Sequence, residues 1–127
     1  MMTAKNTRQI GREGEDLAAA YLESKDYRIL ERNYFFERAE VDIVAYDKES
    51  CIVFAEVKYR TDTGFGEPED SVSEEKMRNV FKAAEAWLYE RKMDGAPVRF
   101  DVIAIVQQND KEAPRIRHFE DAFRMRG

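Results

Sequence analysis

Cysteine occurs once in this 127-residue sequence, at Cys51. A lone thiol excludes an internal disulfide, and its place in an alternating apolar stretch reads as a small core residue. Only three prolines and six glycines are present, and no low-complexity segment, internal repeat or linker divides the chain. Long hydrophobic runs are missing too, the longest falling far short of the roughly 20 residues that cross a bilayer as a helix. The opening residues Met1-Met2-Thr3-Ala4-Lys5-Asn6 lack the apolar centre of a signal peptide. A cytoplasmic protein with no membrane partner is the expectation from these absences. Histidine is as scarce as cysteine. His118 stands alone, so a histidine-based metal site lacks ligands, and packing or hydrogen bonding near a strand end is its reading.

Charge, by contrast, is abundant. With 37% charged and 43% apolar residues, the composition is that of an ordered globular protein rather than a disordered one. The length fits a single domain over residues 1–127, able to bury roughly two thirds of its unfolded surface. The net charge is −5, which counts against a general nucleic-acid-binding surface but not against a local patch. Lys76, Arg78 and Lys82 fall on one predicted helix, and Arg115, Arg117, Arg124 and Arg126 lie near the C-terminus. The helical group reads equally as a phosphate-binding stripe or as a solvated face.

Periodicity predicts the order α-β-β-β-α-β-β, hence an α/β fold with a mixed sheet and helices packed against it. The first helix is expected over about Thr7–Lys25, with Ile10, Leu17, Ala18, Tyr21 and Leu22 inward and Glu15 at the border of that face. Gly11 and Gly14 interrupt it, each at a cost of about 1 kcal/mol relative to alanine, so close packing against the sheet is expected at both. A strand over Tyr27–Tyr34 follows, then a hairpin, then a loop over Thr61–Asp70. Ser71-Val72-Ser73-Glu74 has capping-box spacing and opens a second helix through Lys92, with Val80, Phe81, Ala84, Trp87 and Leu88 as core. Strands over Val98–Val106 and Arg115–Phe119 complete the sheet, and Glu120–Arg126 is expected as a terminal helical turn. Phe35 and Phe36 read as core by default, or as an exposed aromatic tip.

The hairpin carries the chemistry. Ala39-Glu40-Val41-Asp42-Ile43-Val44-Ala45 and Cys51-Ile52-Val53-Phe54-Ala55-Glu56-Val57-Lys58 flank the turn Asp47–Ser50. Alternation puts Val41, Ile43, Ala45, Cys51, Val53, Ala55 and Val57 on one face and Glu40, Asp42, Glu56 and Lys58 on the other. A turn centred on Glu49 sets Asp42 across from Glu56 and Glu40 across from Lys58. Two carboxylates about 4 Å apart repel by roughly 4 kcal/mol at an effective dielectric near 20. A divalent cation is a natural way to neutralise such a cluster. Glu56 and Lys58 alone would read as a solvated ion pair, but one lysine does not balance Glu15, Glu40, Asp42 and Glu56. Glu40 is open to either a ligand or a rim role, and Asp101 reads as a partner for Arg99 more readily than as a site-edge acid.

An acid in the first helix, an acid on a strand and Glu-x-Lys on the next resembles the PD-(D/E)xK nuclease superfamily, within it the archaeal Holliday junction resolvases. The fuller match is to the uncharacterised YraN-like bacterial family. It rests on Gly11-x-x-Gly14-Glu15-x-x-Ala18-x-x-Tyr21-Leu22, Arg32-Asn33, Ala39-Glu40-Val41-Asp42-Ile43, Val53-Phe54-Ala55-Glu56-Val57-Lys58-x-Arg60, Lys76, Pro97-Val98-Arg99-Phe100-Asp101-Val102 and Ile116-x-His118-x-x-x-Ala122-Phe123. Ala39 stands where that family usually has glycine, and Val41 where the superfamily has its nominal proline. The resemblance implies a restriction-endonuclease-like three-layer core. It also implies that Asp42 and Glu56, with Glu15 nearby, hold Mg²⁺ or Mn²⁺, and that Lys58 acts on the attacking water. Arg60, Lys76 and Arg78 are the candidate phosphate contacts. Two functions follow as expectations: a metal-dependent nuclease on structured DNA, as a homodimer if the substrate is branched, or a non-catalytic nucleic-acid-binding or protein-docking module that keeps the fold.

Overall fold

Helical spacing of Ala18, Ala19 and Leu22 builds α1 (Thr7–Ser24), whose buried stripe lies on the sheet. Its end is fixed by backbone bonds rather than glycine. Asp26 takes a left-handed conformation (φ 69°), with Asp26 N–H donating to the Glu23 carbonyl and Tyr27 N–H to that of Leu22, both at 3.0 Å. The strands β1 (Arg28–Phe36), β2 (Ala39–Asp47) and β3 (Cys51–Arg60) then meander antiparallel. α2 (Glu74–Glu90) carries the chain over to β4 (Val98–Val106), parallel to β3, and β5 (Arg115–Phe119) closes the edge. The result is one five-stranded mixed sheet in the order β1-β2-β3-β4-β5, with a helix on each face. This computed structural model describes residues 7–49, 51–60, 73–107 and 111–124, and the side chains from Gly11 onward. The expected loop Thr61–Asp70, the side chain of Ile10 and the final residues of the expected C-terminal helical turn lie outside them. No helix among the described residues is long and apolar enough to cross a membrane.

Two cores result, one on each face. Against α2 lie Val44, Ile52, Phe54, Phe100 and Val102 with Val80, Ala83, Ala84, Trp87 and Leu88. Against α1 lie Ile43, Ala45, Ala55, Ile103 and Ile105 with Ala18, Ala19 and Leu22. Trp87, Phe81 and Leu88 are core as expected, and the Trp87 indole N–H donates to Glu31 at 2.9 Å. Phe35 and Phe36 divide, Phe36 packing on the α2-side core while Phe35 is 65% exposed.

The hairpin register agrees with the sequence: Asp47 pairs with Cys51 and Ile43 with Ala55, a turn centred on Glu49. The strict alternation does not survive along β2. Val41 joins Val44 in the α2-side core, whereas Ile43 faces α1. The break falls at Asp42, flanked by the β1–β2 pairs Tyr34↔Val41 and Arg32↔Ile43. Between Arg32 and Tyr34, Asn33 has φ 54°, a left-handed conformation that a strand does not sustain and that asparagine tolerates. The pleat is locally broken there, and the Asp42 side chain takes the place of a ladder carbonyl: its Oδ2 accepts from Val57 N–H at 2.8 Å.

Three further expectations are corrected. Gly14 packs tightly, since a Cβ there would lie 2.8 Å from Tyr59 Cβ, but Gly11 has nothing within 4 Å of that position. The α2 cap is Ser73, whose Oγ accepts from Lys76 N–H at 3.1 Å. Glu120–Arg124 forms no helix. Asp121 (φ 54°) donates its N–H to Asp101 Oδ1 at 2.9 Å and Ala122 donates to the Phe100 carbonyl at 2.8 Å, so β4 takes the amides a helix would have used. Phe123 is thereby buried against Phe100, ring centroids 5.5 Å apart.

Candidate functional site

Where β2 leaves its pairing with β3, five charged side chains from four elements form two groupings that share Asp42. β2 supplies Glu40 and Asp42, β3 supplies Glu56, α1 supplies Glu15 and the first turn of α2 supplies Lys76. Glu15, Glu40 and Asp42 each offer a carboxylate oxygen, all lying within 4.8 Å of one another. Glu56 is not part of that trio but is within hydrogen-bonding reach of Asp42. Ionised carboxylates only accept, so two that face each other bond through a shared proton or a shared cation. Asp42 is thus common to both acidic groupings.

Glu56 is the most constrained member. It is 2% exposed, its Oε2 is 3.4 Å from Lys76 Nζ, and its Oε1 is buried with no hydrogen-bond partner among the described residues. Burial first, and the Asp42 charge second, push its carboxyl up to about 8, against the attraction of Lys76 and Lys58. Asp42 is raised by burial despite the Val57 amide, Lys76 and Lys58. Glu15 and Glu40 are raised as well, each by burial and then by Asp42; Asn33 hydrogen-bonds Glu15 and holds it down in part. Four acids raised together form a site short of positive charge.

That donor set suits a hard divalent cation. Such an ion takes several carboxylate oxygens at close range, and an unpartnered oxygen inside the protein is a ligand already stripped of water. Asp42, Glu56, Glu15 and Glu40 are the residues that fit, and α1 and the two strands hold them on rigid elements.

The structure groups Glu15 with Asp42 and adds Glu40, whereas Glu56 meets Asp42 and lies outside that trio. Lys58 is half-buried on β3 and acts electrostatically on both Asp42 and Glu56. Lys76, expected among the phosphate contacts, instead has its ammonium on Glu56, while Arg78 is exposed and Arg60 half-buried. Sequence reasoning gave Asn33 no role beyond its motif; an asparagine between Arg32 and Tyr34 in an otherwise strand-forming stretch was the available signal.

Asp101 belongs elsewhere. Arg99 grips it with Nε and Nη2, both at 2.9 Å, His118 Nε2 meets it at 2.6 Å, and Tyr21 OH reaches His118 Nδ1 at 3.3 Å. Despite full burial, the bonds from His118, Arg99 and the Asp121 amide hold its carboxyl below the usual range. This is a satisfied clasp tying α1, β4 and β5 together, and His118 has the packing and bonding role expected for it.

The profile described as "Uncharacterised protein family UPF0102" matches residues 14–105. A UPF0102 protein of Geobacter sulfurreducens is 48% identical over 116 residues, covering 91% of this chain and 89% of its own. Those of Trichlorobacter lovleyi, 41% identical over 96% of this chain and 95% of its own, and of Persephonella marina, 43% identical over 89% and 91%, are similar over nearly their full lengths. The matched span runs from Gly14 to Ile105 and takes in Glu15, Glu40, Asp42, Glu56, Lys58 and Lys76. The chain belongs to the UPF0102 family.

Proposed function

We propose that this protein is a divalent-metal-dependent nuclease that hydrolyses phosphodiester bonds in structured DNA. The observation that carries the reading is the buried, unpartnered Oε1 of Glu56 beside Asp42, in the ordered pattern that resembles PD-(D/E)xK enzymes. Asp42, Glu56 and Glu15 would hold Mg²⁺ or Mn²⁺, with Glu40 completing the set. The ion would supply a polarised phosphate and a bound water of lowered pKa. Lys58, on the same strand as Glu56 and acting on its charge, would orient that water and meet phosphate charge. Arg60 and Arg78 would supply contacts to the phosphate backbone that position a substrate without reading its sequence. With no base-reading helix among the described residues, specificity would come from DNA shape.

The net charge of −5 favours one competitor, a module that binds its partner without turnover. Incubation with labelled branched and linear DNA in Mn²⁺ separates the two. The nuclease reading expects cleavage that an Asp42→Ala variant loses. Cleavage equal in both proteins, or absent from wild type, rejects it.

A further inference from the structure

Lys76 stands against the local electrostatics of its own helix. It is in the first turn of α2, three residues after the Ser73 cap, where the helix dipole disfavours a cation and where Glu74 and Glu75 already supply the favoured sign. Its backbone is pinned, because Ser73 Oγ accepts its N–H at 3.1 Å. The reason for a lysine lies across the molecule: Nζ is 3.4 Å from Glu56 Oε2. Its charge also acts on Asp42 and Glu40, and on Asp42 and Glu56 it ranks ahead of Lys58. The two partners differ in freedom. The Glu56 side chain is 3% exposed and has nowhere to go, whereas that of Lys76 is 37% exposed and on a flexible stem at the surface.

We propose that the Lys76 ammonium is a displaceable counter-ion: it holds Glu56 in the metal-free protein and swings to solvent when a divalent cation takes that carboxylate. The inference rests on the metal reading above and deepens it. An ammonium and a divalent ion on one carboxyl group repel, and only the lysine is free to leave. Once turned outward from the rim of the acidic cluster, it becomes a cation facing any phosphate brought to the site. Lys76 is therefore a positioning residue that couples metal arrival to the exposure of positive charge.

Titration calorimetry with Mn²⁺ alone tests this on wild type, Lys76→Gln, Lys76→Arg and Asp42→Asn. Removing the competitor should tighten Mn²⁺ binding on the order of tenfold in Lys76→Gln, while Lys76→Arg stays near wild type. Lysine acetylation read by mass spectrometry should show Lys76 labelling faster with Mn²⁺ than without it in wild type, and unchanged in Asp42→Asn. Binding by Lys76→Gln where wild type shows none would make Lys76 a fixed block on the site, and overturns the displacement. Equal or weaker binding by Lys76→Gln, with wild-type binding abolished by Asp42→Asn, overturns the displacement and leaves the metal site standing. No binding by either wild type or Lys76→Gln removes the metal reading and this inference together.

Discussion

Glu56 reaches the sheet interior as a carboxylic acid whose charge the protein does not fully balance. Its carboxyl is raised from 4.5 to about 8, by burial first and Asp42 second. For a group raised in the folded state, its contribution to stability is complete below the unfolded value and lost as pH climbs through the folded one. Metal-free protein should therefore lose stability to urea between about pH 4.5 and pH 8, and Glu56→Gln should flatten that slope. A wild-type profile that is level or rising across this window would show that Glu56 ionises freely in the fold. Asp101 is the opposite case at the same scale: bonded by Arg99, His118 and the Asp121 amide, it is held ionised and unavailable.

At the scale of elements, the first helix sets how closely the sheet approaches Glu15. Gly14 is buried against Tyr59, with room for a hydrogen but not a methyl, because the facing atom is a Cβ that cannot rotate away. Gly14→Ala should destabilise by about 1–3 kcal/mol through overpacking. Gly11 faces open space three residues earlier, and Gly11→Ala should stabilise by up to about 1 kcal/mol through helix propensity alone. Urea denaturation of the two variants gives opposite signs if α1 docks as described. Both variants sharing a sign would mean that the helix sits differently on β3. The Asn33 break belongs to this scale as well, since it turns Val41 toward α2 while freeing the Asp42 carboxyl for Val57.

At the scale of the whole molecule, one group of acids among the described residues is close enough to share a cation. A cation that binds only the folded state stabilises it by mass action, about 2.7 kcal/mol at a free concentration one hundred times the dissociation constant. Mn²⁺ and Mg²⁺ should raise the thermal midpoint of wild type at pH 7.5 and leave that of Asp42→Asn unmoved. That variant should be at least as stable as wild type without metal, because the side-chain carbonyl of the introduced amide still accepts from Val57 and the repulsion with Glu56 is gone. An equal metal-induced shift in both proteins would place the cation elsewhere.

Much of this architecture was legible in one dimension. The repeats of about 3.6 and 2 residues located both helices and all five strands, and β4 and β5 fell at their observed ends. The β2–β3 register was also readable, because a hairpin's turn centre fixes which residues oppose each other. Those two facts alone set Asp42 near Glu56. What the sequence did not determine is everything that depends on how separate elements lean together. Lys76 meets Glu56, Phe123 folds back onto Phe100, and His118 closes on Asp101, all across distances along the chain that periodicity does not span. Val41 changed faces because one asparagine in the neighbouring strand adopts a left-handed backbone, a choice stabilised by tertiary contacts and invisible in a hydrophobic pattern. Local spacing assigns each side chain a face; only the packing of helix on sheet decides which charges from different faces come within reach of one another.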